Sequence, residues 1–537
     1  MAKSHPLTDW FKSVGVELHP SLYLKHDALT GLSVYAATPL PPDTTVVTVP
    51  ASLCITSEVA YEQVCRLLSR AGATSLPQHS ELPVPDWILL YLVLCRIAIE
   101  HASSTNAFPS DLLPHLTYVA HIPKCIPTPL HFSPTEYAML ANTPLQGSTE
   151  RRLAETIVDF HRASSCILPH ILKLSQTGLQ DLVEQIQAAF EPIEETRQDK
   201  LMTTTWHAGL EMWRWAESAF TSRAFPSSLI GITVPAASVA SNSNGSSAFT
   251  SPTSNPILIP AYDAFNHARA HPVTWTHIPA PSTHPDTAAP HAVGSTTVPE
   301  SRRATGRVQM TLNYAVDPAD SQVFNNYGGK SNEEFLSAYG FVLPTTTEDT
   351  LALKIGTQVQ SDADADAHDD KKGTGSTTFY WPATSASDAA SSSDQPIELS
   401  GGDGKPFVPA RCPCPGLIEQ LGAELRRQPA SLSSSPLIQL EEYANVIEVL
   451  ESLLLAKRKQ FRASQKQVDS IEALQETDFR PEVARSPTSS VRKPVFEAVQ
   501  QYRLGQLEIL NQAVKWARGE LERLADALED DDDEDQE

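Results

Sequence analysis

The chain reads as an α+β protein, with short β-strands set around a long helical stretch and an all-α part at the C-terminal end. Three observations carry this. Residues 21–56 contain β-rich runs parted by turn residues. Trp87, Leu90, Tyr91, Leu94, Ile97 and Ala98, then Trp206, Leu210, Trp213, Ala216 and Phe220, recur at helical spacing. Near the end Leu437, Leu440, Tyr443, Ile447, Leu450 and Leu454 form one stripe, and Leu507, Leu510, Val514, Ala517, Leu521 and Leu524 form a second. A length of 537 residues allows two or three domains, and a 41% hydrophobic share is enough for globular cores.

Taken in order, residues 1–83 give the first strands, with a turn at Thr30-Gly31 and another at Pro41-Pro42-Asp43. Residues 84–232 are helical. Their most apolar run, 87–94, is broken by Arg96 and is far too short to cross a bilayer, so it predicts a buried helix and no membrane partner. Residues 233–356 return to strands around ILIPAYDAFNHA and VQMTLNYAVDPADSQVF. Ser, Asn, Pro, Asp and Ala dominate about 235–256, 276–306 and 357–410, which are expected to be disordered inserts because they cannot bury enough apolar surface to fold alone. Residues 411–528 carry the two late stripes, and 529–537 is a solvated acidic tail.

A net charge of −24 argues against nucleic acid as a partner and favours a basic one. Seven scattered cysteines and a polar start without an apolar leader point to a reducing cytoplasmic or nuclear compartment. Cys412-Pro-Cys414 has no second Cys or His pair at ligand spacing, so no metal is expected.

The richest stretch is QVFNNYGGKSNEEFLSAYGF, residues 322–341. Val323 and Phe324 suit a strand, Gly328-Gly329 turn the chain, and Ser331 can cap a helix with Glu334 at the capping-box distance. Gly340 stops that helix just after Tyr339. Together with Asn266-His267, the pairs Tyr327-Gly328 and Tyr339-Gly340-Phe341 closely resemble the SET-domain class of the RuBisCO large-subunit methyltransferase and the fungal ribosomal-protein lysine methyltransferases. Ser222-Arg223-Ala224-Phe225 resembles a further mark of that class, and Thr30-Gly31-Leu32-Ser33 resembles its Gly-x-Gly cofactor turn, with Ser33 in place of the second glycine.

The resemblance implies a SET fold closed by a pseudoknot, a helical insert at 84–232 and a helical substrate-binding domain at 411–528. It implies S-adenosyl-L-methionine as cofactor, bound by Thr30, Gly31, Leu32, Asn266, His267 and Tyr327. Tyr327 and Tyr339 would be catalytic, and Ser222, Arg223, Asp263, Tyr339 and Phe341 would bind substrate. The implied activity is protein-lysine N-methyltransfer to a basic protein such as a ribosomal protein, by a monomeric enzyme. A SET-like scaffold without turnover and a protein-histidine methyltransferase are the alternatives.

The chemistry suits such a site. A lysine amine with a pKa near ~10.4 is almost wholly protonated at neutral pH and must be freed before it can attack a sulfonium methyl. A narrow apolar channel lowers that pKa and aligns the nitrogen with the methyl carbon, while phenol hydroxyls orient the amine.

Overall fold

The computed structural model describes residues 5–27, 30–105, 112–171, 179–191, 207–233, 254–269, 271–280, 305–357, 375–383, 399–400, 406–426, 436–471 and 491–532. Two compact units emerge. The first takes in Met1–Phe132 and Glu150–Gly329, the second Ser133–Thr149, Lys330–Phe479 and Pro487–Glu537. The second unit thus joins a piece of the helical stretch 84–232 to the chain from Lys330 onward.

In the first unit, β1 (Glu17–Leu18), β2 (Leu22–Asp27), β3 (Gly31–Ala36) and β4 (Thr44–Pro50) follow one another through tight turns. Later come β5 (Ala224–Pro226), β6 (Pro256–Leu258), β7 (Val273–Ile278), β8 (Arg307–Leu312) and β9 (Ser321–Gln322). They build antiparallel sheets of order β1-β4-β8-β7, β2-β3-β9 and β5-β6. Val34, Val47, Val49, Ile259, Phe265, Val308, Met310, Leu312 and Val323 fill the core between them. β7 shows where composition misled. His277 and Ile278 pair with Val308 and Arg307, so the strand runs into the segment 276–306 that was expected to be an insert. Alternate residues of VTWTHI are half-buried, the period of a strand with one covered face.

The helical stretch forms a second core of the same unit. Helix Val84–Thr105 buries Trp87, Leu90, Tyr91, Leu94, Ile97 and Ala98, and helix Ala208–Thr221 adds Leu210, Trp213, Ala216 and Phe220. Both predicted stripes therefore face inward; Trp206 lies outside the described residues. So do most of 235–256 and 281–304.

In the second unit β10 (Thr350–Thr357) and β11 (Gly375–Pro382) form a hairpin pair, and β12 (Leu399–Ser400) pairs with β13 (Pro406–Phe407). These strands correct the reading of 357–410 as a disordered insert. GSTTFYWP is rich in β-branched and aromatic residues, and Trp381 is 1% exposed, so this piece has both the propensity and the apolar surface to fold. Helices Pro415–Arg426, Pro436–Asp469 and Lys493–Asp532 complete the unit, burying Leu440, Ile447, Leu450 and Leu454 against Leu510, Val514, Ala517 and Leu524.

Residues 133–149 join this unit because of a buried ion pair. Ser133 caps helix Pro134–Ala138 and forms a capping box with Glu136. The Glu136 carboxylate, 0% exposed, also accepts from the Arg492 backbone N–H and from Arg492 Nε and Nη2 at 2.7–2.8 Å. Arg503, fully buried, donates to the Met139 and Ala141 carbonyls.

Candidate active site

Three separate segments of the first unit converge. The first is the hairpin turn between β2 and β3. Gly31 sits at φ 71°, the left-handed region glycine favours, and a β-carbon there would meet nothing within 4 Å. Thr30 donates its N–H to the Asp27 carboxylate at 3.0 Å, and Leu32 packs on the strand core. The glycine-like geometry thus rests on Gly31, while Ser33 points its hydroxyl inward.

The second segment is Phe265–Ala268 and the third Asn325–Tyr327. They meet as a parallel bridge, with Asn325 N–H donating to the Asn266 carbonyl at 2.8 Å and Ala268 N–H to the Asn325 carbonyl at 3.1 Å. Val323 N–H donates to Val34 O at 2.8 Å, so this segment passes from β3 to the Asn266-His267 pair. The Asn266 side chain closes the triangle, donating to Ser33 Oγ at 2.7 Å. Residues 233 positions apart are joined through their side chains.

Tyr327 lies at the centre of this junction. Its N–H donates to His267 Nδ1 at 2.9 Å, its ring stacks on the His267 ring at 5.1 Å between centroids, and its hydroxyl donates to the Phe265 carbonyl at 3.0 Å. Burial raises the phenol pKa well above its ordinary value, with a smaller opposing pull from Arg223. The hydroxyl is therefore a neutral donor throughout the physiological range.

Arg223 and Asp263 stand in the same electrostatic neighbourhood. Ser222 caps helix Ala208–Thr221 and accepts from Arg223 Nη1 at 2.7 Å. β5 and β6 are paired, which carries Arg223 to Asp263, Nε to Oδ2 3.3 Å. Asp263 follows Ala261, whose φ of 79° is strained for a residue with a side chain. The same carboxylate oxygen accepts from the Tyr118 hydroxyl at 2.9 Å. Burial raises the Asp263 carboxyl pKa, and Arg223 and Tyr118 pull it back.

Tyr118, Asn325 and the Phe265 carbonyl are the members that sequence reasoning left out, and Ser33, seen in the sequence as standing in place of a glycine, enters as the hydrogen-bond partner of Asn266. Tyr118 sits in helix Leu116–Ala120, 145 residues from Asp263, and no local pattern announces the pairing.

Tyr339 and Phe341 belong to the second unit. Helix Asn332–Tyr339 has the predicted cap: Ser331 accepts from Glu334 N–H, Glu334 reaches back to Ser331, and Gly340 ends it at φ 79°. Phe335, Tyr339 and Phe341 cluster with centroids 5.0–5.9 Å apart. Val323 and Phe324 are not in a ladder strand; β9 stops at Gln322. Among the described residues no group of three or more His, Cys, Asp or Glu side chains is placed to hold a metal, and no helix is long and apolar enough to cross a membrane.

No family model matches the chain. It is similar to the ribosomal lysine N-methyltransferase set10 of Schizosaccharomyces pombe, 25% identical over 238 residues, covering 44% of this chain and 30% of that protein. It is also similar to ribosomal lysine N-methyltransferase 1 of Saccharomyces cerevisiae, 24% identical over 242 residues, covering 44% of this chain and 34% of that protein. The chain thus matches about a third of the length of these curated relatives. Among solved structures it resembles the SET domain of LSMT bound to lysine and AdoHcy, with a TM-score of 0.52 at 16% identity over 96% of this chain and 91% of that one. Rubisco LSMT bound to sinefungin and monomethyllysine also has a TM-score of 0.52 at 16% identity, over 97% and 93%.

Proposed function

We propose that this chain, which has the SET fold of LSMT, is an S-adenosylmethionine-dependent protein-lysine N-methyltransferase acting on a basic protein. One observation carries the reading: the turn at Gly31, the Asn266-His267 pair and Tyr327 come together through three independent hydrogen bonds. The junction fits such a cofactor. The space over Gly31 is open to a ligand, and Asn266 is half-buried with one amide hydrogen already committed. When bound, the cofactor would supply an electrophilic methyl on a sulfonium.

The chain's own residues would do the rest. Asn266 and the Thr30–Leu32 turn hold the cofactor. The Tyr327 hydroxyl, whose proton is given to the Phe265 carbonyl, and that carbonyl present acceptor lone pairs a hydrogen bond apart, able to orient the N–H groups of a neutral amine. Arg223, held by Asp263, and Ser222 would face the peptide. Ribosomal proteins are the substrate class we favour, because both sequence relatives carry that name and a charge of −24 suits a basic partner. All seven cysteines are free thiols, which supports a reducing compartment.

Labelled-methyl transfer into a cell extract, followed by peptide mapping, tests the reading. Methyl-lysine should appear with wild-type chain and vanish with Tyr327→Phe. Methyl-histidine instead would overturn the lysine assignment, and full activity in Tyr327→Phe would overturn the role of that tyrosine.

A further inference from the structure

We infer that Ser33 fixes the polarity of the Asn266 amide and thereby equips this site to recognise the ammonium end of the cofactor, an inference that rests on the methyltransferase reading. Ser33 is 0% exposed, and its hydroxyl is engaged on three sides. It donates to the Gly31 carbonyl at 3.1 Å, lies 2.9 Å from the Thr30 hydroxyl, and accepts from Asn266 Nδ2 at 2.7 Å.

A hydroxyl has one proton and two lone pairs. With the proton on Gly31, Ser33 offers Asn266 only lone pairs, and the Thr30 hydroxyl becomes the donor in their shared contact. Thr30 is steadied in turn by Gln322 Nε2 at 3.3 Å. An amide next to this hydroxyl is driven to turn its N–H toward Ser33, which leaves Oδ1 as the acceptor of this half-buried side chain. With glycine at position 33 the amide could rotate and present either end.

A fixed acceptor selects a cationic N–H donor and disfavours a carboxylate. In S-adenosylmethionine the group of that kind is the α-ammonium. Ser33 is thus a positioning residue that acts through Asn266.

Calorimetric titration of the full chain with S-adenosylhomocysteine and with methylthioadenosine, which lacks the amino-acid portion, separates this role from a merely structural one. Ser33→Ala should weaken S-adenosylhomocysteine about 3–10-fold and leave methylthioadenosine unchanged. In an Asn266→Ala background Ser33→Ala should cause no further loss. Ser33→Gly, which removes the hydroxyl without adding atoms, should give the same selective loss and covers the case of an ill-folded alanine variant. Equal weakening of both ligands, or none, overturns the assignment. Failure of the wild-type chain to bind either ligand overturns the methyltransferase reading on which the assignment stands.

Discussion

Asp263 and Glu136 are both buried carboxylates facing an arginine, one in each compact unit, yet they are satisfied differently. Glu136 accepts from two guanidinium nitrogens and two backbone N–H groups, of Ser133 and Arg492, so its acceptor capacity is saturated. Asp263 shares one oxygen between the Tyr118 hydroxyl and Arg223 Nε, the latter at 3.3 Å, beside a strained Ala261. The first arrangement ties chain segments together. The second couples one carboxylate oxygen to both a phenol and a guanidinium of the candidate site.

The largest effect should come from breaking the saturated pair. Arg492→Ala leaves the Glu136 carboxylate buried without its counter-ion and should cost about 3–5 kcal/mol of stability, seen as a lowered denaturation midpoint. If the variant unfolds like the wild type, Glu136 is not the fastening the geometry makes it.

A third buried carboxylate sharpens the contrast through pH. Asp86, 5% exposed, is paired with Arg162, but burial and then the Asp159 charge push its pKa up to about 7. A carboxyl whose folded pKa lies above its unfolded value of 3.8 binds its proton more tightly in the native state. Its contribution is therefore full at low pH and is lost as pH rises from about 4 through about 7, on the order of a few kcal/mol. Unfolding measured across that window should show this decline, and Asp86→Asn should flatten it.

Next in size is Asp263→Asn. It should leave stability within about 1 kcal/mol of wild type while lowering kcat/KM for methyl transfer about 10–100-fold, because the partner it loosens is Arg223 rather than the core. A drop in stability like that of Arg492→Ala would erase the distinction between the two carboxylates. The smallest effect belongs to Tyr118→Phe. Losing one hydrogen bond to Asp263 should raise KM about 3–10-fold with kcat little changed, checked by initial-rate kinetics at varied protein substrate.

The same contrast explains what could be seen in the sequence. Glu136 belongs to a capping box, and Ser331 with Glu334 to another; both are local patterns, three residues across, and the second was legible at sight. The apolar stripes of Val84–Thr105 and Ala208–Thr221 were equally plain, since a helix repeats its signal every turn. Arg492 and Tyr118 were not, because their partners lie 356 and 145 residues away and no period connects them. β11 was missed for another reason: TTFYW is five residues of strand former embedded in Asp, Ala, Ser and Gly, and the composition of its flanks outweighed its own. The Asn266, His267 and Tyr327 constellation could be named because it resembles a family, but its hydrogen bonds with Ser33 and Phe265 could not be read from the chain.

Titration calorimetry of the full chain with S-adenosylhomocysteine, beside the Asn266→Ala variant, tests most directly whether the junction of turn, Asn-His pair and Tyr327 is a cofactor site. Saturable one-site binding that is lost or sharply weakened in the variant is the expected result; no heat from the wild-type chain, or equal affinity in both, would contradict the account.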